Sequence, residues 1–162
     1  MEPINSIHDE RPSNRPLSLS RLKWLLAFIL LLLLGACSSQ PAPYALAPDS
    51  QMPNFLQGAS SRVREAYRFA VANPDELMKY PCYCGCGAMG HESNLSCYVS
   101  AVSRPDEIAF DNHASGCGIC VDITQDVMRL LREGKTSPEI RTYIDATYSR
   151  FGPGTNTPLP VE

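Results

Sequence analysis

The longest apolar run in the chain covers residues 24–34, eleven positions without a polar side chain. A membrane-spanning helix needs about 20 such residues, so the run is short for a permanent anchor. Arg21 and Lys23 precede it, and the small residues Gly35 and Ala36 follow it, just before Cys37. Charge, then apolar core, then small residues is the order of a secretory signal, which assigns residues 1–36 to a signal peptide with a long polar leader. The first 20 residues have Pro3, Pro12 and Pro16 and no apolar period, and so predict no fold. Residues 38–58 shift to Ser, Pro, Ala and Gln and predict an extended tether.

Helical periodicity begins beyond the tether. Ser60 or Ser61 is placed to cap a helix in which Val63, Ala66, Tyr67 and Ala70 share one face. Asn73-Pro74-Asp75-Glu76 is a second start signal, predicting a short helix to about Tyr80, stopped by Pro81. A third helix is predicted from about Asp122, with Ile123, Val127, Leu130 and Leu131 as its stripe and Gly134 at its end. Thr136-Ser137-Pro138-Glu139 opens a fourth, with Ile140, Tyr143, Ile144, Thr147, Tyr148 and Phe151 on one side. Gly152-Pro153-Gly154 ends it, and residues 153–162 read as a flexible tail. Between Cys82 and Gly116 no period is sustained, although 95–102 has room for a helical turn or two. The expectation is a mainly α, small helical domain over residues 59–152, with a cysteine-rich ordered loop and a C-terminal helical hairpin.

Charge narrows the partners. From Ser38 onward there are 10 Lys+Arg against 14 Asp+Glu, which argues against a nucleic acid. No G-x-S-x-G, no glycine loop between strand and helix and no spaced acid pair is present, so hydrolase and nucleotide-binding readings start low and no catalytic residue is assigned.

The cysteines carry the chemistry. Of seven, six fall in one stretch: Cys82, Cys84, Cys86, Cys97, Cys117 and Cys120. The first three alternate, which in extended backbone turns three sulfurs to one side. Cys117 and Cys120 form a C-x-x-C pair four residues after His113, at or just inside a helix N-terminus, where unpaired N–H groups favour a thiolate.

The heptapeptide Pro81-Cys82-Tyr83-Cys84-Gly85-Cys86-Gly87, followed by this C-x-x-C, resembles the PCYCGC-motif lipoproteins of bacteria over roughly residues 72–152. The resemblance implies a cysteine-rich extracytoplasmic domain on a lipid anchor and names no reaction. Leu34-Gly35-Ala36-Cys37 in turn resembles the lipobox of bacterial lipoproteins, which implies lipidation at Cys37 and attachment to a membrane face of the cell envelope outside the cytoplasm. That also accounts for the seventh cysteine. The C-terminal hairpin is similar to that of the cytochrome c maturation thiol-oxidoreductases, at Gly134-Lys135-Thr136, Glu139-Ile140-Arg141 and Tyr148-Ser149-Arg150-Phe151-Gly152. It departs from them after the second cysteine, where Val121-Asp122-Ile123 stands in place of polar residues including glutamine.

Three readings of the six cysteines follow. The first is binding of a soft metal as carrier or store, with the thiolates as ligands and His91, His113 and Met89 as further candidates. Clustered sulfur selects Cu(I) or Zn(II), and surplus sulfur favours copper over zinc, which takes four ligands. Its partner would be an extracytoplasmic metalloprotein or thiol protein. The second is a disulfide framework presenting a protein-binding surface, without cofactor, for which six cysteines allow 15 pairings. The third is a thiol oxidoreductase at Cys117 and Cys120. The bland alternatives are solvated histidines at 91 and 113, a gap-filling or surface Met89, and ordinary packing for Tyr80, Tyr83 and Tyr98.

Overall fold

The computed structural model describes residues 42–104 and 107–161, together with Arg21, Lys23 and Trp24. The rest of the expected signal segment, and Cys37, lie outside the described residues. The chain divides into two units, 1–41 and 42–162, and the second holds the core. Among the described residues no helix is long and apolar enough to cross a membrane.

The domain is small and mainly α. Helix α1, Ser61–Ala72, starts where its cap predicts: the Ser60 hydroxyl accepts the Val63 N–H at 3.3 Å. It buries Ala66, Tyr67, Phe69 and Ala70. Helix α2, Pro74–Leu77, is shorter than expected. The chain leaves it through a turn in which Lys79 N–H bonds Glu76 O, because the residue before Pro81 is pushed out of helical geometry.

The segment expected to be a loop contains a hairpin. Strand β1, Val99–Arg104, pairs antiparallel with β2, Glu107–Phe110, after a short 3-10 turn at Leu95–Cys97. Two register shifts, between Val99 and Ala101 and between Val102 and Arg104, break the two-residue alternation that would have marked a strand.

Helix α3 is a single turn, His113–Gly116, and α4 runs Gly118–Arg132. The sequence expectation starts α4 four residues late because the buried stripe opens on Cys120, a residue first read for its chemistry. Beyond it Val121, Ile123, Thr124, Val127, Met128 and Leu130 are buried. Gly134, at φ 75°, closes α4 with Lys135 N–H on Leu130 O and Gly134 N–H on Leu131 O, a Schellman closure. Helix α5, Ser137–Tyr148, opens with a capping box between Thr136 and Glu139. It packs on α4 through Ile140, Ile144 and Tyr148, while Tyr143 and Phe151 stay partly exposed, so its apolar face is narrower than predicted.

Ordered structure extends past both ends of the expected domain. On the N-terminal side Leu56 is buried, Ala47 N–H bonds Arg68 O, and Asn73 clips Ala45 through both its amide atoms. On the C-terminal side the expected flexible tail is a strap. Thr155 N–H donates to Cys82 O and Thr155 Oγ1 accepts from Cys82 N–H, both at 2.9 Å. Thr157 Oγ1 donates to Glu92 O, and Arg141 donates to the Thr157 and Pro158 carbonyls. Hydrogen bonds, which leave no apolar pattern, help hold both segments, and Tyr44, Leu46, Met52 and Leu56 also pack the N-terminal one on the core. Gly154 lies so close to the Tyr83 ring that a Cβ there would sit 3.0 Å from it.

Thr155→Val keeps the shape of the side chain and leaves the buried Cys82 N–H without an acceptor. It is expected to lower the stability of the metal-free protein by about 1–3 kcal/mol, read from denaturant midpoints. Thr155→Ser should retain most of that stability.

Candidate metal centre

Cys82 and Cys84 sit on an irregular segment held at Cys82 by the Thr155 strap, with their sulfurs 3.3 Å apart. Gly85, at φ 86°, then turns the chain into a 3-10 turn at Cys86–Met89, which Gly90 ends at φ 89°. The three motif sulfurs therefore reach one region by way of a turn at Gly85 and not along a strand. Cys86 faces Cys97 at 3.6 Å, and Cys120, in the first turn of α4, lies 3.4 Å from Cys82 and 3.7 Å from Cys84.

Both histidines reach the sulfurs. His113 Nε2 is 3.3 Å from Cys84 Sγ, and His91 Nδ1 is 3.5 Å from Cys97 Sγ. Their rings meet edge to face at 5.3 Å. Asp111 stands behind both: its Oδ1 accepts the His113 backbone N–H at 2.7 Å, and its Oδ2 lies 3.6 Å from His91 Nε2. The contact to His113 is to its backbone, not its ring, and His91 belongs to none of the donor sets that could hold a metal. Cys117 is the residue that caps α4, and it is half-buried. Met89 is 58% exposed at the end of its turn.

These donors form three overlapping sets, each with its ligand atoms within 4.8 Å of one another: Cys82, Cys84, Cys97 and Cys120; Cys84, Cys86, Cys97 and His113; and Cys84, His113, Cys117 and Cys120. Cys84 belongs to all three. All six cysteines are free thiols, and the sulfur separations of 3.3–3.7 Å far exceed the roughly 2.05 Å of a disulfide. They approach the edge of about 3.8 Å that four sulfurs make around a tetrahedral zinc with Zn–S near 2.3 Å. The cluster can hold a metal ion.

A buried polar chain fixes the helix end that carries Cys120. Asn94 Nδ2 donates to Thr124 Oγ1 at 2.8 Å, Thr124 Oγ1 to Tyr98 OH at 2.7 Å, and Tyr98 OH to the Cys120 carbonyl at 2.8 Å. Tyr67 braces the other side, its hydroxyl donating to Asp111 O and accepting from Ser115 N–H. Sequence reasoning missed Asp111, Asn94, Thr124 and this role of Tyr98. Only Asp111, two residues before His113, carried a local signal.

A family described as proteins of unknown function with a PCYCGC motif matches residues 45–160. The chain belongs to the PCYCGC family. The matched range runs past the expected domain at both ends and takes in the N-terminal segment and the strap that clasps the motif. Comparison with curated proteins and with solved structures finds no match.

In the PCYCGC centre without metal, hydrogen bonding favours the thiolate at Cys82, while Cys84, Cys86, Cys97 and Cys120 are held toward the neutral thiol. Hydrogen bonds from Cys120 and then Cys97 outweigh burial and pull the Cys82 thiol down to about 2. Cys120 moves up because it hydrogen-bonds Cys82 and Cys97 and is buried. Burial, then donation to Cys82, raises Cys84, and burial and the Cys82 charge raise Cys86. Cys97 also rises: its bond with Cys120 pulls it down, and donation to Cys82 together with burial outweighs that pull.

The metal-free protein is therefore expected to show thiolate absorbance in the ultraviolet at neutral pH, weakened in Cys82→Ser. The lowered Cys82 favours folding progressively as pH rises from about 2 toward the unfolded thiol value near 8.5. The four raised thiols favour folding below that value and lose their contribution above it, so the denaturation midpoint should fall as pH rises beyond about 8.5.

Proposed function

We propose that this protein is a lipid-anchored, extracytoplasmic carrier or store for Cu(I). The observation that carries the metal reading is the three overlapping donor sets, built from six free thiols and His113 around Cys84. Soft thiolate donors select Cu(I), Zn(II) or iron–sulfur clusters over hard cations. Copper is favoured because the sets cannot all be filled by separate four-coordinate ions when they share Cys84, Cys97, Cys120 and His113, whereas Cu(I) accepts low coordination and shared thiolates.

Anchoring is supported by the residue order Arg21, Lys23, apolar run, Leu34-Gly35-Ala36-Cys37. Acylation at Cys37 would place the domain on the outer face of a bacterial membrane. Oxidising surroundings there compete for thiols, and four of the six sulfurs are buried. The partner on this reading is another extracytoplasmic metalloprotein or thiol protein.

One observation favours zinc instead: Cys82, Cys84, Cys97 and Cys120 alone make a closed four-cysteine set, the usual donor set of a structural zinc site.

The test is the full chain purified without oxygen in detergent, with free thiols counted and copper, zinc and iron measured before and after Cu(I) titration. More than one Cu(I) per chain is expected, with uptake lost when Cys82, Cys84 and Cys86 become serine. A single zinc that Cu(I) does not displace would favour the closed four-cysteine site. Absence of both free thiols and metal, with unfolding on reduction, would sink the metal reading in favour of a disulfide framework.

A further inference from the structure

The donor sets differ in their access to solvent. Cys82, Cys86, Cys97 and Cys120 are at most 2% exposed, whereas Cys84, Cys117 and His113 are half-buried. In the first set one donor of four is half-buried, in the second two, and in the set of Cys84, His113, Cys117 and Cys120 three. Cys117 belongs to that last set alone, while Cys84 and Cys120 tie it to the buried sulfurs.

The chain around Cys117 leaves its sulfur approachable. It stands between Gly116 and Gly118, and a Cβ built on either would meet no atom within 4 Å. An open groove of about 280 Å³ runs beside it, lined by Ser60, Arg62, Val63, Ser115, Cys117 and Asp122 among others. Arg62 and Asp122 pair at 2.8 Å on its rim. As the cap of α4, Cys117 has extended rather than helical backbone, φ −116° and ψ 104°.

We infer that Cys84, His113 and Cys117 form the exchange edge of the centre, where Cu(I) passes to or from a soft ligand of another molecule, with Cys117 the ligand that lets go. The inference rests on the metal reading above. In the outward direction, an incoming thiol forms a new sulfur–copper bond as the copper–Cys117 bond breaks. The thiol's proton goes to the released Cys117 sulfur, and copper stays Cu(I), so no oxidant or reductant is needed. Ligand exchange of this kind does not require the buried sulfurs to open.

The experiment loads the full chain in detergent with Cu(I) anaerobically and follows copper transfer to bathocuproine disulfonate. Wild type is expected to show a fast phase of transfer. Cys117→Ser should remove that phase or slow it at least tenfold while the buried sulfurs keep the remaining copper. Gly118→Val, which leaves every donor in place and crowds the approach, should slow transfer severalfold at unchanged copper content. This second variant separates access from the loss of a ligand. If wild type loads copper and both variants release it at the wild-type rate, the exchange edge is overturned and the metal reading stands. If wild type takes up no Cu(I), the metal reading falls and the exchange edge with it.

Discussion

The contact on which the rest of the structure depends is that of Cys120 with Cys82, 3.4 Å between sulfurs at the centre of the core. One belongs to the first turn of α4 and the other to the motif segment 38 residues earlier. Between them the chain must make its hairpin and return. The sulfur–sulfur contact does not stand alone: the Asn94–Thr124–Tyr98 chain ends on the Cys120 carbonyl, and the strap holds Cys82 by both its backbone groups. Each is buried, and breaking one strands a polar group at a cost of about 1–3 kcal/mol. The polar network therefore positions sulfur, and α1, α4 and α5 supply the apolar enclosure in which it is rigid.

That division explains what was legible in the sequence. The caps at Ser60 and Thr136, the proline start at Pro74 and the glycine stop at Gly134 are local, and each was read close to its place. The six cysteines and His113 fall into three overlapping donor sets, a grouping that the alternate spacing of Cys82, Cys84 and Cys86 does not by itself specify. The hairpin was hidden because two register shifts break its alternation. The start of α4 was displaced because Cys120 fills an apolar position in the stripe. The strap was missed because threonine hydroxyls bonding to the backbone of Cys82 and Glu92 leave no period to detect. Asp111 acts on His113 through the backbone and the Asn94–Thr124 pair acts across 30 residues of chain, and a sequence without partners cannot show which asparagine faces which threonine.

The same scaffold bears on whether these sulfurs join to one another or to a metal. A disulfide needs sulfurs at about 2.05 Å, so the 3.4 Å Cys82–Cys120 pair would have to close by more than 1 Å. Cys82 is tethered on its backbone by Thr155, and Cys120 is held by a helix end whose carbonyl is engaged by Tyr98. Movement of that size works against both attachments. A tetrahedral metal with sulfur edges of about 3.8 Å asks the same atoms to move apart by a few tenths of an ångström. It would also favour several thiolates together, where the metal-free centre holds Cys84, Cys86, Cys97 and Cys120 toward the neutral thiol. Donors drawn from the motif segment, the turn before the hairpin and the start of α4 then become cross-links between them. A metal held there would link occupancy of the centre to stability of the fold, because any ligand that prefers the folded state raises its stability.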